Sequence, residues 1–329
     1  MSEFTFRMVH DERTAYNCGV AVSRKGTMMM RDILLLDAIP YLRAYQDKIF
    51  VVKLGGELAQ DTKRLRWIAR DIATLHRLNI KTMVVHGGGP QLDEYCKTHG
   101  LNVERIAGRR VTSPAILEAA KKVFRGDINL RLVQALAQEG EKALGLSGVD
   151  GLMLQAKRRP PVEIKTDAGE MKTVDFGEVG DIVRVDTSAI EVALEAGLIP
   201  VLTPLVVGEN GDILNCNADT AAAQLAVALG AEKLVLVTNV PGILRNPEDK
   251  CSLMPLTDLP QLDRLDGEGM LQGGMRPKVV AVKTALEGGI QRVHLVDSNR
   301  EGALLEEIFT NEGCGTMVVK SMEKHREAG

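Results

Sequence analysis

Apolar positions along the chain follow two alternating periods. Ile49-Phe50-Val51-Val52 is an unbroken apolar run, the pattern of a strand buried on both faces of a parallel sheet. Lys53 follows directly, and after Leu54 come two glycines, Gly55 and Gly56. Over residues 61–78, Leu65, Ile68, Ile72, Leu75 and Leu78 fall on one helical face. Residues 81–85 predict a second buried strand ending in His86-Gly87-Gly88-Gly89-Pro90, and residues 91–98 a helix that closes near Gly100. Strands and helices in alternation, with glycines at the strand ends, predict a parallel sheet with right-handed crossovers.

The rhythm continues downstream. Residues 114–139 predict a long helical stretch whose apolar pattern breaks at Gly126, and residues 143–151 a strand with a glycine-rich turn. Residues 161–185 alternate like a hairpin turning at Asp167-Ala168-Gly169, before a helix at 187–196 and a buried strand at 198–204. Helices are expected at 218–229, 276–288 and 302–309, and strands at 233–238, 292–296 and 315–319, with a turn at 239–242. A composition shift at 208–211 is the candidate boundary between an N-lobe (48–207) and a C-lobe (208–329). Ahead of both lies an N-terminal extension, 1–47, in which Ile33, Leu34, Leu36, Ile39, Leu42 and Tyr45 recur at helical spacing across Pro40. That segment reads either as a helix capping its own domain or as an arm for another subunit.

Composition narrows the class. The 329 residues are 45% hydrophobic and 26% charged, with net charge −3 and only 3% aromatic residues. These values describe a globular α/β protein with an aliphatic core, and they offer neither a basic surface for nucleic acid nor a base-stacking platform. Five scattered cysteines without C-x-x-C spacing read as reduced thiols. With no signal pattern and no apolar run long enough for a membrane span, the expected location is cytoplasmic. A Gly-x-Gly-x-x-Gly fingerprint and a Walker A loop are both absent from the sequence.

Four stretches can carry chemistry. Gly55-Gly56 and Gly87-Gly88-Gly89 end consecutive strands and can aim backbone N–H groups at a phosphate beside Lys53, although an ordinary strand-to-loop turn also uses glycine. Asn215-Cys216-Asn217-Ala218-Asp219-Thr220 puts two amides and a carboxylate at a helix start, where a plain N-cap is the competing account. In Gly273-Gly274-Met275-Arg276-Pro277-Lys278, a lysine in a first helical turn can reach the sheet edge or remain on the surface. Gly108-Arg109-Arg110-Val111-Thr112 offers a guanidinium fork for a carboxylate, or a solvated arginine pair.

Taken together, Val-Val-Lys-Leu-Gly-Gly, Val-Val-His-Gly-Gly-Gly-Pro-Gln, Gly-Arg-Arg-Val-Thr, Asn-Cys-Asn-Ala-Asp, Gly-Gly-Met-x-Pro-Lys and Glu-Ile-Phe-Thr-x-Glu-Gly-x-Gly-Thr resemble the amino-acid kinase family over about residues 48–320. The match is to members that phosphorylate the side-chain carboxylate of N-acetyl-L-glutamate with ATP and Mg²⁺. The resemblance implies an open αβα sandwich around a mainly parallel sheet, in two lobes: an amino-acid-binding, dimerising N-lobe and a nucleotide-binding C-lobe. It implies that Lys53 and Lys278 flank the transferring phosphoryl group while Asp219 holds both ammonium groups. Gly55, Gly56, Gly88 and Gly89 would donate N–H groups, Arg110 would pair with the substrate α-carboxylate, and Asn215 and Asn217 would meet the acetamido end. Thr238, Asn239 and Gly242 would lie along the nucleotide, whose own phosphates would hold most of the Mg²⁺, so no protein metal site is expected. Such chemistry needs no general base, because a carboxylate is already ionised at neutral pH; it needs cations and oriented dipoles.

The resemblance also implies regulation. Family members inhibited by arginine carry a helix before the first strand that links dimers into a hexamer (a trimer of dimers), and here Tyr41, Glu312, Gly313 and Gly315 match the arginine site. Departures from the family pattern stand at Ser113, at Val149 and at 298–302, where Ser-Asn-Arg-Glu-Gly replaces the usual residues. Two other readings of the same motifs are a kinase for carrier-protein-bound aminoadipate or glutamate, and a non-catalytic arginine sensor.

Overall fold

In the computed structural model, residues 38–106, 109–165, 171–249, 251–271 and 273–322 are described. Residues 1–37, Gly108 and the Asp167-Ala168-Gly169 turn lie outside them. Residues 38–45 are helical straight through Pro40. The strand Ile49–Leu54 then enters the middle of the molecule, with Phe50, Val51, Val52 and Leu54 all buried.

Among the described residues, eight strands form one sheet in the order Leu256–Asp258, Thr316–Val319, Arg292–Asp297, Lys233–Thr238, Ile49–Leu54, Lys81–His86, Ile199–Thr203, Ala143–Ser147. The last six are parallel, and the first two run the opposite way. Ile49–Leu54 is therefore paired with Lys81–His86 on one side and with Lys233–Thr238 on the other. Helices cover both faces, which gives the expected αβα sandwich. Alternation along the central strand divides the core: Phe50, Val52 and Leu54 pack with the helices Thr62–Arg77 and Asn129–Gln138, whereas Val51 packs with Ala218–Ala228 and Met275–Glu287. Lys53, two residues after Val51, shares that second face. No helix among the described residues is long and apolar enough to cross a membrane.

Most elements lie within a residue or two of the sequence expectation. Asp61 caps Thr62–Arg77 by accepting from the Lys63 and Arg64 N–H groups. Ser113 caps Pro114–Ala120, its hydroxyl accepting from the Ile116 N–H. The break at Gly126 falls inside a π-helical segment, Lys121–Ile128, which joins Pro114–Ala120 to Asn129–Gln138. A wider turn shifts the buried face by part of a turn, which is why the apolar periodicity lapses there.

The region 161–185 is not one hairpin. Val162–Lys165 pairs with Met171–Val174, while Gly180–Val185 pairs with Leu154–Arg158 in a separate four-stranded sheet with Leu205–Val207 and Ile213–Asn215. Residues 208–211 form the turn between the latter two antiparallel strands. The strand Leu256–Asp258 and the helix Leu259–Gly267 have no counterpart in the sequence reading.

Candidate active site

The carboxyl ends of the central strands open into a cleft of about 540 Å³, within the range of small-molecule sites. It lies where ligands bind in open parallel sheets. Register brings its floor together: Lys53 stands opposite Leu236 on one neighbouring strand and Val85 on the other. The ladder continues one step further, with the Gly55 N–H donating to Val237 O and the Gly87 N–H to Leu54 O.

Lys53 is buried, and its Nζ lies 2.8 Å from Asp219 Oδ1. Asp219 reaches that position because Ala218–Ala228 packs alanines 221, 222, 223 and 226 against the sheet; side chains this small allow a close approach. The cap of this helix is Asn217, whose Oδ1 accepts from the Thr220 N–H at 3.0 Å. Asp219 is thus free of capping, and its second oxygen lies 3.7 Å from Lys278 Nζ. Burial alone would raise the Asp219 pKa, but Lys53 and Lys278 outweigh it and hold the carboxyl below its usual range. Burial and the neighbouring Lys53 charge push Lys278 down, opposed by Asp219. The three groups form a charged unit that a low-dielectric site tolerates only when paired.

Gly55, Gly56, Gly88, Gly89, Arg110, Asn215, Asn217, Thr238 and Asn239 line the same cleft. Gly88 is sterically required, since a Cβ there would meet the Phe124 ring at 2.5 Å and Ile128 at 2.6 Å. Arg110 is steered by Asp93 (2.7 Å) and by Gly89 O (2.8 Å), while its buried Nε has no partner within the protein. An oriented guanidinium with an unsatisfied donor suits a carboxylate ligand. Asn217 spends its oxygen on the cap, which leaves its amide NH₂ for the cleft. Gly242 does not line the cleft; it sits one turn beyond Asn239 with φ of 155°, where a side chain would strike Thr316.

His86 is buried behind the glycines, beside Asn129 at 3.2 Å. Burial drops its pKa to about 4, so it stays neutral near pH 7. Sequence reasoning passed over Glu57, Arg105, Arg159, Phe124 and Phe176, which also line the cleft. Arg159 is paired with Asp181 at 2.5 Å and lies over the Phe176 ring. In all, six basic side chains (Lys53, Arg105, Arg109, Arg110, Arg159 and Lys278) face three acidic ones (Glu57, Asp181 and Asp219). The cleft is built for anions. Among the described residues no group of three or more His, Cys, Asp or Glu is disposed to hold a metal. Glu57 and Asp219 are hard oxygen donors compatible with a Mg²⁺ ion that brings further oxygen ligands with it.

Tyr41, Glu312, Gly313 and Gly315 gather away from the cleft. Tyr41 Oη donates to Asn311 Oδ1 at 2.6 Å, and its ring stacks on Tyr45. The N–H groups of Cys314 and Gly315 both donate to Glu307 Oε2 at 2.8 Å. Behind them runs a buried chain absent from the sequence reading. Glu307 Oε1 lies 2.8 Å from His294 Nδ1, His294 Nε2 lies 3.0 Å from Lys233 Nζ, and Lys233 sits 5.0 Å over the Tyr45 ring. Burial pushes Lys233 down to about 7 and His294 to about 4. Glu307 is held below its usual value against burial, chiefly by His294.

The sequence pattern of the amino acid kinase family matches residues 48–297, and the chain belongs to that family. Its relatives are more particular. A protein of Myxococcus xanthus named acetylglutamate kinase is 48% identical over 288 residues, covering 87% of this chain and 93% of its own length. One of the same name from Archaeoglobus fulgidus is 39% identical, covering 87% and 98%. Among solved structures, N-acetylglutamate synthase from Neisseria gonorrhoeae with coenzyme A and N-acetyl-glutamate superposes with a TM-score of 0.75 at 29% identity, over 88% of this chain and 63% of that one. The same synthase has been solved with coenzyme A and L-arginine (TM-score 0.74, 28% identity, 88% of this chain and 65% of that one). Carbamate kinase from Giardia lamblia bound to AMP-PNP, at 19% identity and TM-score 0.58 over 83% and 99% of the chains, shares the fold.

Proposed function

We propose that this cleft transfers the γ-phosphoryl group of ATP to the side-chain carboxylate of N-acetyl-L-glutamate, giving N-acetyl-L-glutamyl 5-phosphate in arginine biosynthesis, as a cytoplasmic enzyme. The observation that carries the reading is Asp219 set between Lys53 and Lys278 at the sheet edge. The names of the relatives supply the substrate.

The acceptor is an anion attacking a more highly charged anion, so repulsion is the main obstacle. Lys53 and Lys278 offset it from two directions, and Asp219 keeps both ammonium groups in place before the substrates arrive. The N–H groups of Gly56, Gly88 and Gly89 add dipoles that need no reorganisation during the transfer, whereas the Gly55 N–H is committed to Val237 O and serves to hold the loop in place. Mg²⁺ carried on the nucleotide phosphates would neutralise further charge. Arg110 takes the α-carboxylate, and Asn215 and Asn217 the acetamido group, so that the side-chain carboxylate points at the lysines. Thr238 and Asn239 run along the nucleotide within the cleft, and Gly242 would meet only a part of it that extends beyond the cleft. On this reading residues 48–207 form the amino-acid lobe and 208–329 the nucleotide lobe.

We further infer feedback inhibition by arginine at Tyr41, Glu312, Gly313 and Gly315, with the 38–45 helix joining dimers into a hexamer. The Glu307–His294–Lys233 chain supports this, since it places ionised and hydrogen-bonding groups directly behind that loop. A hydroxylamine trap for acyl phosphate tests the whole: N-acetyl-L-glutamate is expected to yield hydroxamate with ATP, and glutamate and aspartate far less. Millimolar arginine in the same assay should suppress it, with a hexamer on sizing. A protein that binds arginine but forms no hydroxamate would be the non-catalytic sensor, a reading favoured by the likeness to the arginine-bound synthase.

A further inference from the structure

The 298–302 stretch departs from the family pattern, and nothing in the proposed chemistry uses it. Its geometry is specific. Asn299 employs each polar atom of its amide: Oδ1 accepts from Arg64 Nη1 at 2.8 Å, and Nδ2 donates to Asn239 O at 3.0 Å and to Asp297 Oδ1 at 2.8 Å. Next to it the Ser298 N–H donates to Thr238 O at 2.7 Å. Residues 298 and 299 thus grip the main chain of Thr238 and Asn239, both of which line the cleft.

The other end of the line is anchored as well. Arg64 Nε lies 2.8 Å from Asp61 Oδ2, and Asp61 directly follows the short helical loop Gly56–Gln60. A run of hydrogen bonds through Asp61, Arg64 and Asn299 therefore adds a side-chain tie between the segment that follows the glycine loop and the Thr238-Asn239 turn, beside the direct Gly55 N–H to Val237 O bond. None of these side chains is in the hydrophobic core, so the run adds little to the stability of the fold. What it fixes is the distance between two ligand-facing loops.

We propose that Asn299 is a positioning residue for the nucleotide: it holds the Asn239 main chain in register with the Gly55-Gly56 loop, so that the nucleotide meets a preset span. The inference rests on the reading of Thr238 and Asn239 as the nucleotide end. An amide is needed because the position must accept from Arg64 and donate to Asn239 at once. Aspartate cannot donate, and it would set a second carboxylate against Asp297. Pre-ordering of this kind acts on affinity, since the ligand no longer has to order the loops itself.

The experiment is calorimetric titration of MgATP and, separately, of N-acetyl-L-glutamate into wild type, Asn299→Ala, Asn299→Asp and Arg64→Ala, together with steady-state kinetics and melting curves. Asn299→Ala and Asn299→Asp should each weaken MgATP binding about tenfold, the scale of one or two hydrogen bonds, and raise KM for ATP in parallel. The acceptor KM, kcat at saturation and Tm should stay near wild type. Arg64→Ala should lose less, and Arg64→Ala with Asn299→Ala no more than Asn299→Ala alone. Unchanged MgATP affinity in Asn299→Ala would overturn the proposal, and so would a loss shared equally by both ligands or tracking a fall in Tm. If wild type itself binds no MgATP, the nucleotide reading falls and takes this inference with it. If wild type binds and Asn299→Ala binds equally well, this inference falls alone.

Discussion

At the residue scale, Lys53, Asp219 and Lys278 form one proposed catalytic unit but are physically unequal. Lys53 and Asp219 are both buried, whereas Lys278 keeps 16% of its side chain exposed and stands further from the shared carboxylate. The two kinds of substitution should therefore separate. Lys278→Ala removes one stabilising charge from the transfer step, and is expected to lower kcat by about 10²–10³ with Tm essentially unchanged. Asp219→Ala leaves two ammonium groups facing each other in a dry site. It is expected to abolish turnover and also to cost about 3–5 kcal/mol of stability, the scale for a broken buried pair. Denaturant melts run beside hydroxamate assays of the two variants would check this; equal Tm for both would contradict it.

At the scale of elements, the glycine loop of one strand and the π-helical segment of another region form a fitted contact. Phe124 and Ile128 lie against Gly88 at distances that leave no space for a methyl group. Gly88→Ala must push the ring or the loop aside, at a cost of about 1–3 kcal/mol for overpacking, and it should raise KM for both substrates because the loop faces both. Retained wild-type KM values in the purified variant would show that the contact yields without moving the loop.

This contact also marks the border of what could be read from the residues. Lys53, Gly55, Gly56, Gly88 and Gly89 were legible because strand-end position follows from local apolar runs and glycines. The break at Gly126 was visible, but its cause was not, since a π-turn leaves only a lapse in periodicity. Arg159 was hidden in Lys157-Arg158-Arg159, which looks like surface charge until Leu154–Arg158 pairs with Gly180–Val185 across a long stretch of chain. Lys233, His294 and Glu307 come from two strands and a helix far apart in sequence, and only the sheet order makes them neighbours. Which residue of the 215–220 stretch caps the helix was likewise not legible: Asn217 does so, and Asp219 is taken up by the ion pairs.

At the scale of the whole molecule, stability should carry a pH signature from one residue. Asp71, on Thr62–Arg77, is 2% exposed, and its Oδ1 has no partner. Burial raises its pKa to about 7, only partly opposed by Arg70 and the Leu304 N–H. The unfolded chain releases this proton near pH 4, and the folded one near 7, so between those values the folded state binds more protons. Its contribution is thus greatest below about pH 4, declines as pH rises, and is lost above about 7. Asp71→Asn, which resembles the protonated form, should raise Tm by several degrees at pH 8 and have little effect near pH 4. A Tm gain independent of pH would point to packing instead.

Both halves of the chain hydrogen-bond to the same central strand, with Lys81–His86 on one flank and Lys233–Thr238 on the other. Neither half can swing as a door on a loose hinge, because the door and the frame share a continuous plank. Any closure over substrates has to come from a change of twist in that plank, or from the peripheral loops riding on it. A twisting plank moves least along its own midline, and Lys53 stands there. On the proposed function, the group that meets the transferring charge would then be the one that moves least, while what varies with each turnover is brought to it from either side.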